Sequence, residues 1–153
     1  MVVEAGEALP HFELNNHEGK PVSSDDLKGT SAILFFYPRA MTPGCTTESC
    51  DFRDNYALLQ EAGYSVFGVS PDPPERNARF RDKEHLNFDL LSDEDHELAA
   101  ALGAWGDKKG YGKVYKGLIR STFEVGPDGT VERAWRNVRA KGHVARVIDE
   151  LGL

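Results

Sequence analysis

A fully apolar run, Ala32–Phe36, constrains the fold of this chain more than any other stretch. A strand that is apolar on both faces is typical of the centre of a sheet that helices cover on both sides. The segment Tyr37–Cys50 follows it directly and leads into Phe52, Tyr56 and Leu59, which are spaced as on the inner face of a helix. The sequence therefore predicts a buried strand, a short turn and a helix, as in an open α/β sheet.

The turn between this strand and this helix is followed by the first of only two cysteines. Thr42 suits the N-cap, and Pro43 suits the first helical position, where its missing N–H costs nothing. Cys45 then lies in the first turn, where free N–H groups and the positive end of the helix dipole favour a thiolate. Loops at the carboxyl ends of strands are also where open α/β sheets bind ligands. We therefore interpret Cys45 as a reactive cysteine, although buried structural thiols are common.

The remaining strands and helices are predicted from the same periodicities. The helix that starts at Pro43 is expected to run to about Glu61 and to end at Gly63. In chain order, the other predicted elements are a hairpin on the polar turn 15–19, a short helical turn over 23–27, a buried strand over 64–69, a polar helix over about 73–85, a short strand over 88–91, a helix capped at 92–93, a loop over 103–117, paired strands over 119–125 and 130–135, and an amphipathic helix over about 144–151. We expect one domain, residues 1–153, with an α/β fold in which helices flank a mixed central sheet and a β-hairpin extends the N-terminus.

Composition and charge argue against several classes of function. The net charge is −7 and the pI is about 5.2, whereas nucleic-acid binding favours a basic surface. No apolar run approaches membrane-spanning length. Residues 1–7 lack the basic and apolar regions of a secretory signal, so we expect a cytoplasmic protein with no membrane or nucleic-acid partner. The lysines at 108, 109, 113 and 116 are interpreted as a solvated loop rather than a dock for an acidic partner.

The spacing of the two cysteines narrows the chemistry. Four residues separate Cys45 from Cys50, which is unusual for zinc ligands and differs from the Cys-x-x-Cys motif of disulfide reductases. The five histidines are scattered, and most are interpreted as solvent-facing or locally hydrogen-bonded. A Walker loop, a Gly-x-Gly-x-x-Gly fingerprint and a Gly-x-Ser-x-Gly elbow are also lacking. We therefore expect a thiol-based site with no metal or organic cofactor.

The cysteine segment resembles a known signature. Pro38–Cys45 fits the Pro-x-x-x-Thr/Ser-x-x-Cys pattern of peroxiredoxins, and Thr42–Asp54 is similar to the subgroup called peroxiredoxin Q or bacterioferritin comigratory protein. Further segments that resemble this subgroup are Gly68–Asp72, Leu90–Asp93, Tyr111–Lys113 and Ile119–Phe123. The resemblance covers nearly the whole chain and implies a thioredoxin-like fold.

The resemblance also implies an activity. Cys45 resembles the peroxidatic cysteine and Cys50 the resolving one, so the implied cycle passes through a Cys45 sulfenic acid and a Cys45–Cys50 disulfide. The implied substrates are hydrogen peroxide and organic hydroperoxides. The implied electron donor is thioredoxin or a similar dithiol.

Four further residues match the family's site. Thr42 and Arg120 resemble the residues that hold the peroxide and stabilise the thiolate. Pro38 is expected to shape the pocket, and Glu48 to help orient the arginine. The loop Arg39–Met41 departs from the Lys-Asp-acidic or polar sequence usual for the subgroup.

Two other functions stay open at this point. A general thiol–disulfide oxidoreductase on the same fold would act on disulfides and would gain little from Arg120 or Thr42. A non-catalytic thioredoxin-like binding module would carry inert cysteines. We expect mainly a monomer, with Ala40 and Met41 adding a little apolar surface beside the pocket.

Helix geometry adds one prediction about the two cysteines. Five helical positions separate Cys45 from Cys50, which places them about 140° apart around the axis and about 7.5 Å apart along it. The resulting Cα–Cα distance is about 8.6 Å, whereas a disulfide needs less than about 7 Å. We therefore expect a helical reduced form whose first turns unwind whenever the disulfide forms.

Overall fold

The computed structural model describes residues 2–110 and 112–153. Met1 and Tyr111 lie outside the described residues, and Tyr111 belongs to the loop predicted over 103–117. The helices are α1 (Pro43–Glu61), α2 (Pro74–Glu84), α3 (Glu97–Ala101) and α4 (His143–Glu150), with a short 3₁₀ helix at Ser24–Leu27. The strands are β1 (Glu13–Asn16), β2 (Pro21–Ser23), β3 (Ser31–Phe36), β4 (Tyr64–Ser70), β5 (Asp89–Ser92), β6 (Trp105–Gly110), β7 (Lys113–Leu118), β8 (Ser121–Val125) and β9 (Val131–Trp135).

Seven of these strands form one mixed sheet in the order β2-β1-β5-β4-β3-β8-β9. The central strand β3 runs parallel to β4 and antiparallel to β8. The N-terminal hairpin β1–β2 joins the sheet through an antiparallel pairing of β1 with β5. The predicted mixed sheet and N-terminal hairpin are therefore confirmed.

Side chains of β3 are buried on both faces of the sheet, as the apolar run predicts. Ala32, Leu34 and Phe36 belong to one buried cluster, whereas Ile33 and Phe35 belong to a second. Alternate residues of a strand point to opposite faces, so the two clusters lie on opposite sides. Side chains from α1, α2 and α4 complete the second cluster, and side chains from α3 complete the first.

Helix α1 begins and ends where the sequence predicts. Thr42 is its extended N-cap, and the Thr42 carbonyl accepts the Thr46 N–H at 2.9 Å. Pro43 is the first helical residue, and Gly63 follows the end of the helix with φ +91°, a left-handed conformation that glycine adopts without strain. In the described part of the chain, none of the helices combines the length and the apolar character needed to cross a membrane.

The prediction of a loop over 103–117 is wrong. Residues there form a two-stranded antiparallel hairpin, β6–β7, which is paired from Trp105–Leu118 to Gly110–Lys113. The hairpin forms its own sheet, and residues 112–116 are exposed, so its lysines and glycines show no apolar alternation. Hydrogen bonding between the two backbones forms this hairpin, and such pairing leaves no hydrophobic pattern from which the sequence could predict it.

The helix predicted to be capped at 92–93 starts later. Helix α3 begins at Glu97, but the Asp93 carboxylate still accepts the N–H groups of Leu98 and Ala99, at 3.2 and 2.9 Å. Asp93 thus caps α3 from four residues before its first residue, because its carboxylate accepts N–H groups that have no partner within the helix.

Candidate active site

Cys45 lies fully buried in the first turn of α1, next to the guanidinium of Arg120. Arg120 Nη2 donates to Cys45 Sγ at 3.4 Å. The pairing of β8 with β3 brings these two residues together. Ser121, the first residue of β8, pairs with Phe36 at the carboxyl end of β3, so the residue before β8 lies beside the start of α1. Arg120 therefore reaches a cysteine that is far away in the sequence.

Glu48 holds the same guanidinium from the other side. It lies one turn after Cys45 and is fully buried, and its Oε1 accepts from Arg120 Nη1 at 2.7 Å. Burial raises the pKa of Glu48 to about 7, against the opposing effect of Arg120. One arginine thus bridges a sulfur and a carboxylate that lie on the same helix.

His143, the first residue of α4, completes this buried cluster, and sequence reasoning missed it. Its Nε2 lies 2.7 Å from Thr122 Oγ1 and 3.9 Å from Glu48 Oε2. Among the described residues, Glu48 Oε2 has no hydrogen-bond partner. Burial lowers the pKa of His143 to about 4, and Arg120 adds to the shift, so the ring is neutral near pH 7. Nothing in the local sequence distinguishes this histidine, because β8 and α1 bring its neighbours to it.

The hydroxyl of Thr42 is used differently from a standard N-cap. It makes no capping hydrogen bond and donates instead to the Arg39 carbonyl at 2.8 Å. Its oxygen therefore keeps lone pairs that can accept a hydrogen bond. Thr42 lies at the helix start, three residues before Cys45.

A cavity of about 580 Å³ adjoins this cluster. Its wall is formed by Pro38, Asp107, Lys108, Lys109, Ile119, Arg120, Asn137 and Val138. Arg120 is therefore shared between the cavity and Cys45. The β6–β7 hairpin supplies residues 107–109, so this segment is not simply a solvated loop, and it forms one side of the cavity.

The Ala40–Met41 pair does not supply the apolar surface that the sequence suggests. Ala40 is fully buried, and Met41 is half-buried against the cluster that contains Cys45. The turn faces inward because side chains after β4 form hydrogen bonds with its backbone. The local sequence pattern does not predict these hydrogen bonds.

Cys50 lies apart from the other predicted site residues. It is half-buried, and its Sγ lies 3.8 Å from Glu84 Oε1 on α2. Burial raises the pKa of Cys50, and the Glu84 and Asp54 carboxylates add to the shift, whereas Arg53 opposes it. Both cysteines are free thiols within the intact helix α1, as the helix geometry predicts for the reduced form.

The structure thus brings Pro38, Thr42, Cys45, Glu48 and Arg120 to one end of the sheet and leaves Cys50 on another face of α1. Across residues 2–110 and 112–153, no group of three or more His, Cys, Asp or Glu side chains could hold a metal ion.

Known proteins resemble this chain over nearly its whole length. The model of the AhpC/TSA family matches residues 5–134. Peroxiredoxin Bcp of Bacillus subtilis is 44% identical over 151 residues, covering 99% of this chain and 96% of the relative. A putative peroxiredoxin of Mycobacterium tuberculosis is 49% identical over 148 residues, covering 97% of this chain and 94% of the relative.

Solved structures give the same result. A mutant of the Xylella fastidiosa peroxiredoxin PrxQ superposes with a TM-score of 0.92 at 29% identity, over 99% of this chain and 97% of that one. The bacterioferritin comigratory protein of Xanthomonas campestris, solved as trapped intermediate and ligand complexes that address its alkyl peroxide reduction activity, gives 0.89 at 34% identity, over 97% and 98%. The chain therefore belongs to the AhpC/TSA family and is a peroxiredoxin of the bacterioferritin comigratory protein (peroxiredoxin Q) subgroup, a thiol-dependent peroxidase.

Proposed function

We propose that Cys45 is the peroxidatic residue of this peroxidase. Its thiolate attacks one oxygen of the hydroperoxide, so that an S–O bond forms and the O–O bond breaks. The leaving alkoxide or hydroxide takes a proton to become alcohol or water, and the sulfur is oxidised to a sulfenic acid. The observation that carries this proposal is the Arg120 guanidinium, which lies 3.4 Å from Cys45 Sγ and at the wall of the cavity.

Four other residues contribute to the reaction. Arg120 presents fixed positive charge where negative charge develops on the departing oxygen. Glu48 keeps the guanidinium in place through its 2.7 Å bond. Thr42, whose hydroxyl hydrogen is directed to Arg39, offers an oxygen that can accept the hydroperoxide O–H. Pro38 limits the cavity on the side of the turn that follows β3.

Cys50 is proposed as the resolving residue. Its thiol condenses with the Cys45 sulfenic acid: an S–S bond forms, the S–O bond breaks, and the hydroxyl leaves as water with the thiol proton. A thioredoxin-type dithiol then reduces the disulfide by exchange and is itself oxidised. Because the two cysteines lie on different faces of α1, this step requires the start of the helix to unwind.

Hydrogen peroxide and organic hydroperoxides are the proposed substrates. A cavity of about 580 Å³ is much larger than hydrogen peroxide needs, and Pro38, Ile119 and Val138 give it an apolar side for an alkyl group. The alkyl peroxide reduction activity described for the related protein of X. campestris supports this choice.

The two rival functions fit the site less well. A general thiol–disulfide oxidoreductase has no use for an arginine that is fixed between the reactive sulfur and a buried carboxylate. A binding module with inert cysteines would not need a thiol that contacts an arginine at the wall of a cavity.

A cytoplasmic location is also part of the proposal. The recycling step needs a supply of reduced dithiols, which the cytoplasm maintains. The bacterial relatives described above are consistent with it.

A coupled assay tests the function. Consumption of hydrogen peroxide and of an alkyl hydroperoxide is measured with thioredoxin, thioredoxin reductase and NADPH, for the wild type and for Cys45→Ser. We expect turnover in the wild type and none in the variant. Turnover of a protein disulfide but not of peroxide would instead identify the oxidoreductase, and loss of neither activity in Cys45→Ser would refute the role of Cys45.

A further inference from the structure

Two side chains that follow β4 hold both backbone polar groups of Ala40, in the turn before α1. Asp72 Oδ2 accepts the Ala40 N–H at 2.7 Å, and Arg76 Nη2 donates to the Ala40 carbonyl at 2.9 Å. Ala40 is fully buried, so water cannot replace either bond. We call Asp72 and Arg76, with these two bonds, the Ala40 clamp.

The clamp is itself held in place. Arg76 Nε lies 3.1 Å from Asp72 Oδ1, which makes an ion pair between the first turn of α2 and the residue before its N-cap. The Ser70 hydroxyl donates to Asp72 Oδ2 at 2.8 Å, and Asp72 is only 7% exposed. Because β4 runs parallel to β3, their carboxyl ends lie side by side, and the residues after β4 reach the turn after β3.

The turn needs such support because its next residue is strained. Met41 has φ +65°, a left-handed conformation that costs free energy for any residue other than glycine. Met41 lies directly between Ala40 and Thr42, and the Thr42 hydroxyl donates back to the Arg39 carbonyl. The four residues Arg39–Thr42 are thus fixed at three backbone groups, and the last of them is the N-cap of the helix that carries Cys45.

We propose that Asp72 and Arg76 are positioning residues for the peroxidase reaction, an inference that rests on the proposed function. They act through the Ala40 backbone: the clamp keeps Met41 in its strained conformation and so fixes Thr42 relative to Cys45. Attack on a hydroperoxide needs the O–O bond aligned with the sulfur, and this alignment depends on where Thr42 lies. Alkylation of Cys45 by iodoacetamide needs access to the thiolate but no aligned O–O bond, so it shows separately whether a variant changes the exposure of this buried sulfur.

The test compares these two reactions in the Cys50→Ser background, where oxidation stops at the sulfenic acid. Second-order rate constants for hydrogen peroxide and for iodoacetamide are measured for Asp72→Ala, Asp72→Asn and Arg76→Ala. Arg79→Ala is the matched control, since Arg79 is exposed on the same helix. We expect the peroxide rate to fall at least about tenfold in Asp72→Ala and Arg76→Ala, and less in Asp72→Asn, which keeps an oxygen for the Ala40 N–H. The alkylation rate should not fall by more than about twofold in any variant, and Arg79→Ala should change neither rate.

A rescue experiment separates positioning from general stability. Met41→Gly added to Arg76→Ala should restore part of the peroxide rate, because glycine adopts φ +65° without strain. Met41→Ala, which also removes the side chain but keeps the strain, should not. If Asp72→Ala fails to fold, Arg76→Ala and its rescue decide the outcome.

The outcomes that overturn the inference are distinct from those that overturn the proposed function. The inference is wrong if the peroxide rates of the clamp variants stay within about twofold of the parent, if both rates fall in parallel, or if Met41→Ala rescues as well as Met41→Gly. A parent protein that itself reacts with peroxide no faster than free cysteine would instead refute the proposed function.

Discussion

At the scale of single residues, the site depends on how one guanidinium is shared. Arg120 donates through Nη2 to Cys45 and through Nη1 to Glu48, so a sulfur and a carboxyl oxygen fix one planar cation. A guanidinium can make both bonds at once because its donors lie in a rigid fork, whereas an ammonium is a single point charge. Arg120→Lys is therefore not a conservative change here.

Arg120→Ala should lower the rate of peroxide attack by about 10²-fold, which is typical for the loss of one preorganised donor. Alkylation of Cys45 should fall less, because it develops no negative charge on a departing oxygen next to Arg120. Stopped-flow oxidation and iodoacetamide labelling measure the two rates, with Arg120→Lys as the matched variant. Equal losses in both reactions would mean that Arg120 acts on the thiolate alone.

Glu48 makes the stability of the protein depend on pH. Its pKa is raised from 4.5 to about 7, so folding favours the protonated form. The corresponding stabilisation is complete below about pH 4.5 and is lost as the pH rises through about 7. A shift of this size corresponds to about 3 kcal/mol of unfolding free energy.

Glu48→Gln cannot ionise, so it should escape this loss while its peroxide reduction is impaired. We expect the unfolding free energy of the variant, relative to the wild type, to increase between pH 5 and pH 8 by up to about 3 kcal/mol. Urea unfolding at the two pH values measures it, and the titration of His143 is common to both proteins. A difference that does not change with pH would contradict a raised pKa for Glu48.

At the scale of elements, α1 is proposed to be both the support of the site and its moving part. In the reduced protein it is helical from Pro43, with Cys45 buried and Cys50 half-buried on another face. The first turn of a helix frays at low free-energy cost, which makes cyclic unwinding feasible.

Oxidation should therefore lower the helical circular dichroism signal and speed amide exchange between about residues 42 and 54. The same treatment of Cys50→Ser, which cannot form the disulfide, should leave both signals unchanged. Formation of a Cys45–Cys50 disulfide with an unaltered helix signal would contradict the unwinding.

The elements differ in how far the sequence alone could predict them. The strand β3 and the helix α1 were predictable because a long apolar run and a Thr-Pro start are strong local signals. The hairpin β6–β7 was not, because its exposed lysines and glycines carry no hydrophobic pattern. The roles of His143 and of the Ala40 clamp could not be predicted for another reason: their contacts join residues that only the sheet brings together.

At the scale of the whole molecule, the topology makes the site. Strand β3 leads to Cys45, its parallel neighbour β4 leads to the Ala40 clamp, and its antiparallel neighbour β8 starts just after Arg120. Three segments distant in the chain therefore meet at one end of the sheet, so each depends on the integrity of the whole fold.

The surface supports the expectation of a monomer. Large exposed apolar side chains among the described residues are scattered over the chain: Val2, Leu58, Val114, Tyr115 and Leu153. Single exposed apolar residues are normal in monomers. Sedimentation equilibrium at micromolar concentration should give the mass of one chain, 16.9 kDa. A concentration-independent mass of twice that value would show a tight dimer.

The most direct measurement of the role of Cys45 is a single-turnover oxidation of Cys50→Ser with one equivalent of hydrogen peroxide, quenched with a reagent specific for sulfenic acids and mapped by mass spectrometry. We predict one label per chain, on Cys45, formed at a rate far above that of free cysteine, and no label in the Cys45→Ser protein. Oxidation of Cys45 no faster than that of free cysteine, or a label that appears in Cys45→Ser, would contradict the proposal that this buried, arginine-bound thiol is the peroxidatic centre.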